Sequence, residues 1–136
     1  MPYAVALVDL DRFKALNDTF GHETGDRALR LFARTLQRTV RGQDVVSRYG
    51  GEEFVVLFPH CTALEAAEIV GRVREALAGA VAGGGVPPFT ASFGLADADP
   101  DADFEAVLRE ADGCLLTAKR EGRDRLVVAE PEGAAA

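Results

Sequence analysis

At 136 residues, 48% of them hydrophobic, the chain has material for one compact core and too little for two ordinary domains. A formal net charge of −7 repels polyanions, which argues against nonspecific binding to nucleic acid and against attraction to an anionic membrane surface. The two cysteines, Cys61 and Cys114, are too few for a disulfide framework and stand in no metal-binding spacing, so a reducing, cytoplasmic setting is expected, and no apolar run is long enough for direct membrane insertion.

Residues 4–8 (AVALV) are almost continuously small and apolar, which predicts a strand covered on both faces. The run stops at Asp9-Leu10-Asp11, leaving two carboxylates at its C-terminal edge. A short stretch with helical character follows, then a loop over 21–26 (GHETGD). Leu29, Phe32, Leu36 and Val40 recur three or four apart and predict an amphipathic helix. Residues 45–48 and 54–58 read as strands, with the paired glycines of Tyr49-Gly50-Gly51-Glu52-Glu53 as a hairpin turn between them. Thr62 with Glu65 three positions on forms a capping box that opens a helix with Ala66, Ile69 or Val70, Val73 and Leu77 inward. Residues 79–88 are a glycine- and proline-rich connection, and 89–95 a further strand. Asp101 or Asp103 caps a third helix that buries Phe104, Val107, Leu108, Ala111, Leu115 and Ala118. Residues 126–128 form a last short strand, and 131–136 a frayed tail.

The order β-α-β-β-α-β-α-β predicts an α/β protein, an α+β sandwich with a ferredoxin-like βαββαβ core and an additional C-terminal helix and strand, as one domain over 1–130. In that arrangement the helices cover one face of the sheet. The first and third strands are adjacent and antiparallel, so Asp9 and Glu52 converge despite their distance in sequence. Gathered carboxylates repel unless a cation offsets their charge, and hard oxygen ligands suit Mg²⁺, with Mn²⁺ able to substitute.

Lys119 and Arg123 share a helix face at i, i+4, suited either to triphosphate oxygens or to the helix C-terminus. Asn17 and Asp26 carry groups suited to a guanine edge, although Asp26 serves equally well as a helix N-cap. Both readings stand at this point. The sequence contains neither a Walker loop nor a GxGxxG turn, and no Ser-His-Asp set emerges, so a nucleotide site would be built on a metal and side chains.

Arg48-Tyr49-Gly50-Gly51-Glu52-Glu53-Phe54 resembles the signature of the GGDEF family, the diguanylate cyclases, in its GGEEF form. Asp9-Leu10-Asp11-Arg12-Phe13-Lys14 with Leu16-Asn17-Asp18 resembles the family's first block, and Gly21 to Asp26 its second. Thr90-Ala91-Ser92-Phe93-Gly94, Ala111-Asp112 and Ala118 to Arg123 complete the series in the family's order.

The resemblance implies that two GTP molecules are condensed into cyclic di-GMP across a homodimer, each domain supplying one GTP. It implies that Asp9, Glu52 and the Leu10 carbonyl hold Mg²⁺, with Glu53 as a further ligand or an aid to proton removal. Asn17 and Asp26 would read guanine. Lys119 and Arg123 would hold the β- and γ-phosphates, with backbone N–H groups near Arg12 and Phe13 and with Lys14. Arg41-Gly42-Gln43-Asp44 resembles the family's inhibitory RxxD site, with five residues between Asp44 and Gly50, and Arg72 matches a further product-binding arginine. A regulatory sensor domain outside this sequence is implied as a partner.

Departures from the family pattern are also visible. The helix and DxLT turn that usually precede the first strand have no counterpart before Tyr3. Leu116 replaces a common tyrosine, Asp124 a common asparagine, and Glu68 a position that can carry another product-binding arginine. The competing functions are a noncatalytic GTP or cyclic di-GMP binding module, and a cyclase with altered base choice.

Overall fold

The computed structural model describes residues 1–130; the tail expected over 131–136 lies outside the described residues. The elements in chain order are β1 (Tyr3–Leu10), α1 (Phe13–Phe20), α2 (His22–Thr39), β2 (Val45–Arg48), β3 (Glu53–Phe58), α3 (Ala63–Ala82), β4 (Ala91–Ala98), α4 (Phe104–Arg120) and β5 (Leu126–Val128). They build one five-stranded sheet in the order β2-β3-β1-β4-β5. Every neighbouring pair is antiparallel except β4 and β5. The first four strands therefore carry the expected ferredoxin-like order, with β1 in the middle.

Alternation along β1 splits the core in two. Ala4, Ala6, Val8 and Leu10 face α2 and α3, joining Phe32, Leu36, Val56, Phe58, Val73 and Phe93. Val5 and Leu7 face the other way and pack with Ala96 against Val107, Ala111 and Leu115 of α4. Helices thus cover both faces, which corrects the one-faced arrangement expected from topology and agrees with the two-sided apolar run of β1.

The reason lies in crossover hand. The crossovers through α3 and α4 each join parallel strands and shift in the same lateral direction, yet the two helices lie on opposite faces. Their hands are therefore opposite, whereas a uniform hand would have put α4 beside α3. Burying Val5, Leu7 and Ala96 on the second face favours the exception.

Local differences have equally direct causes. The segment 21–26 is helical from His22 onward, so Asp26 lies inside α2 and does not cap it. Gly21, with φ 91, makes the corner between α1 and α2, where a side chain would be strained. The fourth strand starts at Ala91 and runs to Ala98, later than expected, because residues 87–90 pair with no strand. The capping box at Thr62 is present in full, and of the two candidate caps Asp103 accepts from the Glu105 N–H. The β2–β3 hairpin forms, but neither Gly50 nor Gly51 is left-handed. The connection is a wider loop in which Tyr49 N–H and Gly50 N–H both donate to the Glu53 carbonyl at 2.8 and 3.3 Å.

α4 sits unusually close to the sheet. A β-carbon on Gly94 would lie 2.0 Å from the Ala111 carbonyl oxygen and 2.4 Å from Leu115 N, both backbone atoms of α4. Gly113, on the same helix, has nothing within 4 Å of such an atom. Gly94→Ala should therefore destabilise the fold by about 3 kcal/mol or more, at or beyond the upper end of ordinary overpacking. Gly113→Ala should stabilise it by about 0.5–1 kcal/mol through helix propensity. Denaturant midpoints of the two variants check both signs.

Candidate active site

The strand ends converge where the sequence placed them. Asp9 pairs in register with Glu53 across β1 and β3, and Leu10 N–H donates to the Glu52 carbonyl at 3.2 Å. Asp9 and Glu53 thus share the α4 side of the sheet, one strand apart. α4 brings Lys119 to this edge, where its Nζ donates to Asp9 Oδ2 in an ion pair. Asp9 is 7% exposed, and its other carboxylate oxygen, Oδ1, is buried without a hydrogen-bond partner. Burial and, next, the negative charge of Asp9 push the Glu53 carboxyl above the ordinary carboxylate range, with Lys119 acting in the opposite direction. Among the described residues no group of three or more acidic, histidine or cysteine side chains is gathered closely enough to form a complete metal cage.

The hairpin is fixed by its own arginine. Arg48 Nε donates to the Gly50 carbonyl at 3.3 Å, and Nη2 donates to the Gly51 carbonyl. Glu52 is left half-buried at the turn, free of side-chain hydrogen bonds among the described residues. A β-carbon at Gly51 would meet no protein atom, so internal packing does not dictate glycine there.

Beyond Asp9 the chain turns sharply. Arg12 takes a left-handed conformation (φ 54) as the residue before α1, with no side chain capping that helix. The first N–H groups of α1, from Phe13 onward, therefore retain the donor character of an open helix N-terminus. Lys14 is exposed on the same first turn.

The tight α1–α2 corner sets Asn17 against Gly25, the residue before Asp26. A β-carbon at Gly25 would fall 1.7 Å from Asn17 Oδ1, so only glycine allows the amide to lie against the first turn of α2. Asn17 Oδ1 is buried and unpaired. Asp26, the next residue along α2, is exposed and lines a cleft of about 150 Å³ with Arg30, Phe54 and the hairpin's Arg48.

At the far end of α4, Arg123 is half-buried with φ 66, in a turn that folds back so that its N–H donates to the Ala118 carbonyl at 2.9 Å. Lys119 and Arg123 thus do not share one continuous helix face, because α4 ends at Arg120.

Asp11 has a role that its place in the acidic cluster did not reveal. It is 7% exposed and accepts from Thr90 Oγ1 and Ser92 Oγ, both at 2.6 Å, and from Asp124 N–H at 3.0 Å. It is a knot between strand ends rather than an open ligand. The hydroxyls of Thr90 and Ser92, two residues apart where an otherwise apolar strand begins, are the signal that could have found it.

Arg41 and Asp44 lie elsewhere. The Asp44 side chain is fully buried and accepts from Arg41 backbone N–H at 2.7 Å and from Nη2 at 2.8 Å. Arg41 Nη2 also donates to the Pro59 carbonyl at 2.8 Å. Pro59 follows β3 at the end remote from Glu53, and six strand residues separate the two ends by about 20 Å. Arg72 is exposed on α3.

Comparison with known proteins agrees with this fold. The family model described as "Diguanylate cyclase, GGDEF domain" matches residues 1–125. Diguanylate cyclase DgcM of Escherichia coli K12 is 39% identical over 127 residues, covering 93% of this chain and 31% of the relative. Diguanylate cyclase DgcP of Pseudomonas aeruginosa is 43% identical over 128 residues, covering 92% of this chain and 19% of the relative. The chain thus spans less than a third of either relative's length. Among solved structures, the GGDEF domain of DgcB from Caulobacter crescentus, in complex with c-di-GMP, superposes with a TM-score of 0.86 at 32% identity, covering 96% of this chain and 79% of that one. With a matching profile over nearly the whole described chain, the same fold and the hairpin signature at the acidic strand edge, the chain belongs to the GGDEF domain family of diguanylate cyclases.

Proposed function

We propose that this domain is an active diguanylate cyclase, joining two GTP molecules into cyclic di-GMP with release of two pyrophosphates. The observation that carries the reading is the paired register of Asp9 and Glu53, with an unpartnered buried Asp9 oxygen beside the Glu52 turn and Lys119 directly against them. A lone buried acceptor next to a second carboxylate of raised proton affinity is costly unless a cation completes the site.

The donor set fits Mg²⁺ or Mn²⁺: Asp9, Glu52, Glu53 and the Leu10 carbonyl supply a few hard oxygens, as suits an ion that keeps waters and substrate phosphates among its ligands. Such an ion, when bound, would lower the pKa of a ribose 3′-hydroxyl and offset charge on the α-phosphoryl group. The chain's own residues supply the rest. Lys119 and Arg123 bind the β- and γ-phosphates, joined by the α1 N-terminus at Arg12 and Phe13 and by Lys14. Glu53, beside Asp9 in the strand register, serves as a further metal ligand or aids removal of the 3′-hydroxyl proton. Asn17 and Asp26 pair with the guanine edge, the buried Asn17 oxygen gaining the partner it lacks in the free chain. One domain binds one GTP, so two domains must face each other for each 3′-oxygen to attack the other α-phosphorus.

Asp9→Asn and Glu52→Gln should each abolish turnover while leaving the fold intact. Mass identification of the product from GTP and Mg²⁺, with circular dichroism of each variant, is the check; near-normal product from both would refute the site.

Base choice should follow the α1–α2 corner. GTP should exceed ATP in kcat/KM, and Gly25→Ala, which displaces Asn17, should narrow that preference by about 5- to 100-fold, the scale of one or two lost hydrogen bonds. Competition kinetics with the two triphosphates measure this.

Arg41 with Asp44 and Arg72 forms the proposed product site, at the opposite end of β3 from the chemistry. The Asp44 carboxylate is buried against Arg41 and accepts from its Nε and Nη2, which orients the guanidinium and leaves Nη1 as the edge available to a product guanine. Losing that contact costs about 1–3 kcal/mol, so Arg41→Ala should weaken cyclic di-GMP binding roughly 5- to 150-fold and spare initial GTP turnover. Calorimetric titration alongside initial rates decides it.

A further inference from the structure

Three consecutive residues after α4, Gly122, Arg123 and Asp124, have φ of 122, 66 and 50. Glycine accepts such a conformation freely and aspartate tolerates it, but arginine is disfavoured there and needs the surroundings to hold it. The residue that carries a proposed phosphate contact is therefore set in a turn it would not adopt unaided.

The surroundings that impose it are identifiable. Asp124 N–H donates to Asp11 Oδ2 at 3.0 Å. The Asp124 carbonyl accepts from Arg74 Nη2 of α3 at 2.6 Å, and its carboxylate accepts from the same nitrogen at 3.1 Å. Arg125 Nε closes over the turn to the Arg123 carbonyl at 3.0 Å, and the Arg125 carbonyl then accepts from Phe93 N–H of β4 at 2.9 Å. Asp11 is itself held by two hydroxyls at 2.6 Å, so its oxygens cannot swing away from the turn. Arg74 keeps its Nε buried without a partner while Nη2 reaches Asp124, an orientation that favours this contact over full pairing of its own donors.

Asp11 follows Asp9 by two residues on the same strand exit. The element that presents the metal-holding carboxylate therefore also anchors the turn that presents Arg123. We propose that Asp11 and Arg74 are positioning residues for Arg123, clamping the left-handed turn from β1 and α3 and so fixing the separation between the metal end and the phosphate end of one GTP. The inference rests on the reading of Arg123 as a phosphate ligand. Asp11 acts through Arg123 and touches no substrate.

The test is a double-mutant cycle read by equilibrium binding of a nonhydrolysable GTP analogue with Mg²⁺, with GMP as the ligand that lacks the outer phosphates. The variants are Asp11→Ala, Asp11→Asn, Arg74→Met and Arg123→Ala, singly and with the first and third each placed on Arg123→Ala. Asp11→Ala and Arg74→Met should each weaken the GTP analogue about tenfold, the scale of one lost charge-assisted contact, while GMP binding stays unchanged. Asp11→Asn, which keeps an acceptor for Asp124 N–H while the hydroxyls reorient, should recover most of the loss. In the Arg123→Ala background neither substitution should weaken the analogue further.

Should Asp11→Ala fail to fold, Arg74→Met decides with its Arg123→Ala double variant: methionine keeps the aliphatic stem and loses the guanidinium donors and charge, and a loss due to charge alone would persist on Arg123→Ala. Additive effects on Arg123→Ala, equal losses for GMP, or unchanged binding in Arg74→Met would overturn the proposal. Loss of Mn²⁺ binding in Asp11→Ala without nucleotide would overturn it in favour of a metal ligand. If Arg123→Ala alone leaves the analogue's affinity intact, the phosphate assignment itself falls, a result distinct from the others.

Discussion

A carboxylate taken out of water at the end of a central strand must find cations or donors, because an unpaired buried charge costs several kcal/mol. β1 is flanked by β3 and β4 and covered on both faces, and it ends in two such groups. They are satisfied in contrasting ways. Asp11 is saturated by two hydroxyls and a backbone N–H, all from its own fold. Asp9 has one oxygen on Lys119 and the other on nothing. The first arrangement closes the structure, and the second keeps a reactive acceptor at the surface edge of the core. Glu53 holds its proton more tightly first because it is itself partly buried, and second because it stands beside that charge.

The two ends of β3 carry different contacts. At one end the strand begins with Glu53 beside Asp9; past the other, the Pro59 carbonyl receives Arg41. Between them Phe54, Val56 and Phe58 are buried in the main core, so the strand is a stiff spacer. The two ends lie about 20 Å apart, so a change at the Arg41 end could reach the Asp9 end only through rigid displacement of the strand or through a second domain.

Much of this was legible in the sequence because it depends on local chemistry. The Thr62–Glu65 box, the Asp103 cap, the β2–β3 hairpin and the apolar run of β1 are each set by a few neighbouring residues, and each is present. The convergence of Asp9 with the Glu52–Glu53 turn was legible through topology, since β1 and β3 are adjacent and antiparallel. What was not legible depends on competition between distant elements. The face chosen by α4 is fixed by α2 and α3 already lying on the first face, and no residue within α4 records that. The helical start at His22 overrode a glycine-rich segment because Gly25 is needed for contact with Asn17 rather than for a turn. The turn at Arg123 was hidden for a similar reason: its left-handed backbone comes from Asp11 and Arg74, far away in the chain.

The close seat of α4 on Gly94 has a consequence for how the domain can vary in length. Ala111 and Leu115 are pressed backbone to backbone against β4, so the middle of the helix has a fixed rotational phase. Lys119 reaches Asp9 from the next turn. One residue inserted between Leu115 and Lys119 would advance the helix by 1.5 Å and about 100°, turning the ammonium away from the carboxylate. Side chains along the outer face of α4 are free to drift, but its register is not, and insertions in this region should be confined to the connection before Asp103 or to residues beyond β5.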